Sequence, residues 1–159
     1  MKKKTAALFR VSCELGTLSS PDFTEKDLEN MSGYGKKIGI AFQLIDDLIG
    51  IHGDSKVTGK FVGNDIREGK KTLPILLAFQ NLNSTDKDLL RHLFGSKNAK
   101  DSEIAEMVNK IAEIRVDREV RDIANSYAKE AFETLKSYDR SPALISLENS
   151  AKYIVERSL

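Results

Sequence analysis

Cysteine occurs once in these 159 residues and proline three times, and no stretch reads as an alternating strand. Each scarcity excludes something. A lone thiol, Cys13, cannot close an internal disulfide, so the chain is not a disulfide-stapled secreted domain. A buried free thiol in a reducing compartment is the simpler reading. Charge of one sign is missing too: 25 Lys and Arg against 24 Asp and Glu leave a net +1. That balance gives no global attraction to nucleic acid or to an anionic membrane, so any phosphate binding must come from local clusters. The apolar runs fall far short of the ~20 residues that span a bilayer. The basic start, Met1-Lys2-Lys3-Lys4, is followed by neither a hydrophobic signal region nor a cleavage site. The expectation is a cytoplasmic protein with no transmembrane segment and no nucleic-acid partner.

What is there is helical periodicity. A first helix is predicted from about Lys4 to Leu18, with Leu8, Val11 and Leu15 on one face, broken by Ser19-Ser20-Pro21-Asp22. Thr24 reads as an N-cap, with Glu25 and Asp27 complementing the positive helix end. A long helix then runs to about Ile51. Its glycines, Gly33, Gly35 and Gly39, each weaken a helix by roughly 1 kcal/mol relative to alanine, so they call for close approach of another helix or a ligand. Residues 53–69 read as an ordered loop, long enough to suggest a function. Thr72-Leu73-Pro74 opens a short apolar helix through Ala78, and a turn at Asn81–Thr85 leads to a short helix at Lys87–Leu93. Amphipathic segments follow at Ser102–Ile114 and Asp117–Tyr138, and a last helix starts near Ser141-Pro142. With no internal repeat or linker, the expected architecture is one all-α domain over residues 1–159, a helical bundle.

Three stretches carry chemistry. In Phe42-Gln43-Leu44-Ile45-Asp46-Asp47 the amide and the carboxylates lie three and four residues apart, on one helical face. Adjacent carboxylates suit a hard cation such as magnesium, which is usually held by one or two of them together with substrate phosphate. Gly59-Lys60, Gly63-Asn64-Asp65 and Glu68-Gly69-Lys70-Lys71-Thr72-Leu73-Pro74 place cations and flexible backbone just beyond, and lysines and glycine-flanked amides receive phosphate. The spacing is not that of a nucleotide P-loop. Lys4-Thr5, at the start of an apolar helix, could grip an anion. Each stretch also has a bland alternative: a solvated Asp pair, a charged surface loop, a frayed basic first turn.

Taken in order, Lys-Thr-Ala-Ala-Leu-Phe from Lys4, Tyr-Gly-x3-Gly-x-Ala-Phe-Gln-Leu-Ile-Asp-Asp-Leu from Tyr34, Gly-Asp, Gly-Lys, and Asp-Ile-Arg-Glu-Gly-Lys-Lys-Thr-Leu-Pro from Asp65 resemble the trans-isoprenyl (polyprenyl) diphosphate synthase family. The likeness is to the C-terminal half of a geranylgeranyl or farnesyl diphosphate synthase, with the second Asp-rich motif region at residues 36–74. The resemblance implies an isoprenoid-synthase-type helical fold and a magnesium-assisted condensation of isopentenyl diphosphate with an allylic diphosphate. It implies that Lys4 contacts the allylic diphosphate, Thr5 steadies the allylic cation, Gln43 faces the diphosphate and Phe42 lies near the substrates. By the same resemblance Asp46 and Asp47 are metal ligands, with Asp65 in a supporting place. Lys60 binds diphosphate and Lys70 belongs to a closing segment.

Two departures stand out. The family's motif reads Asp-Asp-x-x-Asp, and here Gly50 takes the third acidic place. The family's first Asp-rich motif belongs to a segment before Lys4, where this sequence has Met1, Lys2 and Lys3. The expectation is therefore a prenyltransferase, or a subunit of one, that is incomplete without an N-terminal half and forms a homo- or hetero-oligomer. The alternative is a non-catalytic regulatory subunit of a complete synthase. A terpene cyclase shares the metal logic but not the Lys-Thr and Gly-Lys-Lys-Thr-Leu-Pro segments.

Overall fold

Helical propensity and capping account for the architecture, and no strand occurs among the described residues. The computed structural model describes residues 4–52 and 62–157, with the backbone alone at His52. Eight helices lie in this part of the chain: α1 Thr5–Leu18, α2 Glu25–His52, α3 Asn64–Arg67, α4 Leu73–Asn81, α5 Ser84–Leu93, α6 Asp101–Glu113, α7 Val116–Leu135 and α8 Pro142–Glu156. The all-α reading holds, with most boundaries within three residues of expectation.

Caps fix several of the starts. Thr24 and Asp27 bond reciprocally at the head of α2: the Asp27 amide donates to Thr24 Oγ1 at 3.2 Å, and the Thr24 amide donates to Asp27 Oδ2 at 2.9 Å. This satisfies donors that a helix start leaves open. Asn83 accepts from the Asp86 amide at 2.9 Å, which starts α5 three residues earlier than Lys87. Ser141 caps α8 ahead of Pro142. Arg115, at φ 57°, breaks what would otherwise be one continuous helix into α6 and α7.

The chain divides into two compact units. The first takes residues up to Ile45 and from Arg121 onward; the second is Asp46–Val120. α2 and α7 each contribute to both. In the first unit α1 lies against α2 on small residues. A Cβ on Gly39 would come 2.6 Å from Ala6 Cα, and one on Gly35 would come 2.6 Å from the Phe9 carbonyl oxygen. The helical cost of these glycines is thus the condition for contact. Ala6 is buried, whereas Leu8, Val11, Leu15 and Leu18 are exposed. The apolar face read from the sequence therefore points away from the core. Cys13 is half-buried rather than buried, and burial, then the neighbouring Glu14 carboxylate, push its thiol up. Tyr34 is buried and its hydroxyl donates to the Leu147 carbonyl at 2.7 Å, tying α2 to α8.

The second unit packs Leu48, Ile51, Ile66, Ile75, Leu90, Met107 and Ile111 into its core. The stretch read as loop to Gly69 contains the single-turn helix α3. Gly63 precedes it at φ 76°, a left-handed conformation that favours glycine. Its amide donates to the Gly50 carbonyl at 3.1 Å, and a Cβ there would sit 2.5 Å from Ile104 Cγ2.

Candidate functional site

The residues singled out by the sequence fall into two clusters, one in each unit. The first is built on the close α1–α2 contact. Gly39 receives the backbone of Ala6, so Thr5, the first residue of α1, arrives opposite the residue one turn further along α2. That residue is Gln43, and Thr5 Oγ1 donates to its Oε1 at 2.5 Å. Lys4 occupies the N-cap position with an exposed side chain and no capping bond. Phe42 packs against Phe9, ring centroids 5.4 Å apart. Its other neighbour was not foreseen: the Arg157 guanidinium carbon lies 4.5 Å from the Phe42 ring centroid, within cation–π range. Arg157 Nε and Nη2 are buried and have no hydrogen-bond partner among the described residues. Arg121 holds this segment in place by donating to the Arg157 carbonyl at 3.4 Å. Nothing in the local sequence around Arg157 signals this, because the contact spans 115 positions and follows from how α8 ends.

The second cluster begins where α2 enters the second unit. Asp46 is half-buried and Asp47 is 6 % exposed. Asp65, on α3, is 14 % exposed at its side chain, and its Oδ1 accepts from Lys70 Nζ at 3.0 Å. The Lys70 ammonium also pairs with Glu68 at 2.6 Å, and the Lys70 amide donates to the Asp65 carbonyl at 2.9 Å. Glu68 first and Asp65 second hold the Lys70 ammonium above its ordinary range, so it is a fixed cation at neutral pH. Lys70 is still half-exposed and can offer charge outward. Lys60 lies outside the described residues. The Thr72 hydroxyl is buried at the head of α4, with no hydrogen-bond partner among the described residues.

The polyprenyl synthetase family profile matches residues 1–111. The chain belongs to the polyprenyl synthetase family. It is 42 % identical over 108 residues to the short chain isoprenyl diphosphate synthase of Methanocaldococcus jannaschii, an alignment covering 68 % of this chain and 33 % of that protein. It is 33 % identical over 158 residues to heptaprenyl diphosphate synthase component 2 of Bacillus subtilis, covering 99 % and 44 %. A polyprenyl synthase structure from Caulobacter crescentus CB15, complexed with calcium and isoprenyl diphosphate, superposes with a TM-score of 0.91 at 29 % identity, covering 98 % of this chain and 47 % of the other. The chain thus spans less than half the length of these family members.

A divalent cation is what the family implies, and the described residues set terms for it. They contain no group of three or more His, Cys, Asp or Glu side chains arranged to hold a metal ion. They do carry the adjacent pair Asp46 and Asp47 on one helix. This fits an ion that takes one or two carboxylates and completes its shell with water and phosphate oxygens. It does not fit an all-protein cage. No helix among the described residues is long and apolar enough to cross a membrane.

Proposed function

We propose that this chain is the diphosphate-handling half of a trans-isoprenyl diphosphate synthase, which joins isopentenyl diphosphate to an allylic diphosphate once an N-terminal half completes the fold. The observation that carries the reading is the Thr5–Gln43 contact. It unites two polar groups 38 residues apart that the family resemblance assigns to the same end of the allylic substrate. The calcium and isoprenyl diphosphate in the Caulobacter protein support the ligand class.

In the reaction, the allylic carbon–oxygen bond breaks and its electron pair leaves with the diphosphate. The double bond of isopentenyl diphosphate attacks the resulting carbocation to form a carbon–carbon bond, and loss of a proton restores the alkene. No protein nucleophile is needed. Asp46 and Asp47 are the residues that would hold magnesium, whose contribution when bound is to neutralise charge on the leaving group. Lys4, Lys60 and Lys70 would add fixed positive charge around the diphosphate, Gln43 would face it, and Thr5 would steady the allylic cation. Phe42 would lend an aromatic face close to the hydrocarbon.

Incorporation of labelled isopentenyl diphosphate, with and without magnesium, tests this on a purified chain of confirmed mass. We expect no product from the chain alone and magnesium-dependent product when a separate N-terminal synthase half is added. Product from the chain alone would remove the requirement for that half. No product in either case would favour the second reading, a non-catalytic subunit that binds a complete synthase. Gly50, at an acidic position of the motif, is what favours that alternative.

A further inference from the structure

A cavity of about 460 Å³ opens between α3 and α6, and neither the Thr5–Gln43 contact nor the Asp46–Asp47 pair is among the described residues that line it. Its wall on α6 comes from positions 101, 104, 105, 108 and 109, which recur three and four apart and so share one face. From Asp101 to Asn109 that face runs for about 12 Å at the rise of an α-helix. Ile104, Ala105 and Val108 make it apolar, and Val62 adds to the apolar lining. A cleft of this volume, mostly apolar with a few polar groups, has the character of a small-molecule site.

The charged groups gather at one end. Arg67 Nη1 donates to the Ala99 carbonyl at 2.5 Å, which fixes the guanidinium plane, and Nη2 donates to Asp101 Oδ1 at 2.6 Å. This ion pair is unequal: the Arg67 side chain is 26 % exposed and that of Asp101 88 %. The cation is sheltered, whereas the carboxylate stands in water. Such a pair contributes little, and Asp101, in the first turn of α6, keeps the favour of the helix dipole without it. A carboxylate that brings its own apolar tail can take the place of Asp101 on the planar guanidinium and bury the tail as well. Charge sets the class. Arg67 is the one cation among the described lining residues, and Asp101 is an anion, so a diphosphate would find too little positive charge here. The neighbouring side of α3 is already engaged, since a Cβ on Gly50 would meet Asp65 Oδ2 at 3.2 Å. A ligand on Arg67 would therefore tie to α6 the same single turn that carries Asp65.

We propose that this cavity binds an apolar monocarboxylate, its carboxylate on Arg67 in place of Asp101 and its tail along Ile104, Ala105 and Val108 toward the exposed end at Asn109. The site is separate from the diphosphate clusters, and the inference does not depend on prenyl transfer.

Octanoate is the probe, titrated into the nitrogen-15-labelled 159-residue chain and followed by amide chemical shifts. Saturable shifts in α3 and α6 are expected, with a dissociation constant below about 1 mM, and no saturation by about 10 mM would overturn the proposal. Shifts centred on the exposed leucines of α1 would overturn it too. Octanol, which keeps the tail and lacks the charge, should bind at least about tenfold more weakly; binding equal to that of octanoate would remove Arg67 from the site. Octyl phosphate binding more tightly than octanoate would overturn the monocarboxylate class. Asp101→Asn takes away the competing carboxylate and should tighten octanoate about two- to fivefold, whereas weaker binding would refute the displacement. Arg67→Gln should weaken octanoate at least about tenfold. Because Arg67 also holds the Ala99 carbonyl, that variant can fail to fold, and Ala105→Phe decides independently. Position 105 is exposed, and the new ring fills the cavity while leaving Arg67 in place. Octanoate binding should be lost in Ala105→Phe with an unchanged circular dichroism melt, and binding as tight as the parent's would overturn the proposal. A chain that binds octanoate here and never transfers a prenyl group would sink the enzymatic reading alone; an active chain that fails to bind it would sink this one alone.

Discussion

The hydroxyl of Thr5 contributes one donor to a neighbour 38 residues away, and a valine at that position would keep its branched shape without it. Thr5→Val should cost about 0.5–1.5 kcal/mol in urea unfolding, the usual net worth of such a bond, and Thr5→Ser should recover most of the loss. Equal stability in all three proteins would mean that the contact contributes nothing to the α1–α2 packing. Asp27 makes a pH-dependent case. The Thr24 hydroxyl, and next its amide, hold the Asp27 carboxyl below its ordinary value of 3.8. A carboxylate with a depressed folded pKa adds stability that is fully present above its unfolded value and is lost as pH falls through the folded one. Stability should therefore decline below about pH 4, and Asp27→Asn should flatten that part of the curve. An unchanged slope in Asp27→Asn, measured by urea unfolding between pH 2 and 5, would count against the cap as its source. Asp27 and Thr24 were legible from the sequence because both are local to one helix turn. Asp65 over Gly50 was not, since 15 positions separate them and only the fold joins them.

Among the elements, the contact of α1 with α2 is the one whose energetics can be read in both directions. Gly39→Ala would gain helix propensity but drive a methyl to 2.6 Å from the Ala6 backbone. Backbone cannot give way as a side chain can, so overpacking should win and cost about 1–3 kcal/mol. Gly16, inside α1, has nothing within 4 Å of its added Cβ, and Gly16→Ala should stabilise by about 0.5–1 kcal/mol. Chemical denaturation of the two variants checks the opposite signs; a shift in the same direction for both would refute the packing argument. The same element marks how far sequence reasoning reaches. Glycines on α2 announced a close approach, and the period of Leu8, Val11 and Leu15 announced a helix. The face that packs was misleading, because small residues rather than large ones make this contact, and periodicity cannot tell a core stripe from an exposed one. α3 escaped notice for another reason: four residues are too few to show a period, and its start depends on Gly63 adopting a left-handed turn. The long helices α2, α6, α7 and α8 were legible because each carries several turns of apolar repeat or a cap at its head.

For the whole molecule, the unusual feature is the stripe that α1 leaves in solvent. Leu8 is 67 % exposed and Leu15 60 %, with Val11 and Leu18 between and beyond them at helical spacing. Scattered single leucines need no explanation, but a continuous apolar stripe on one helix usually marks a partner surface. The chain spans less than half the length of the family members it matches, and a bundle of twice this size offers further helices to cover such a stripe. In the isolated chain a second copy is the available cover. We therefore expect the purified protein to sediment above its 17.7 kDa monomer mass. Leu8→Lys/Leu15→Lys should return it to the monomer while changing unfolding free energy by less than about 0.5 kcal/mol per site, since exposed positions away from caps and cores tolerate exchange. A parent chain that is monomeric at high concentration would remove the argument. So would a lysine variant that still associates, because the contact would then lie on another face.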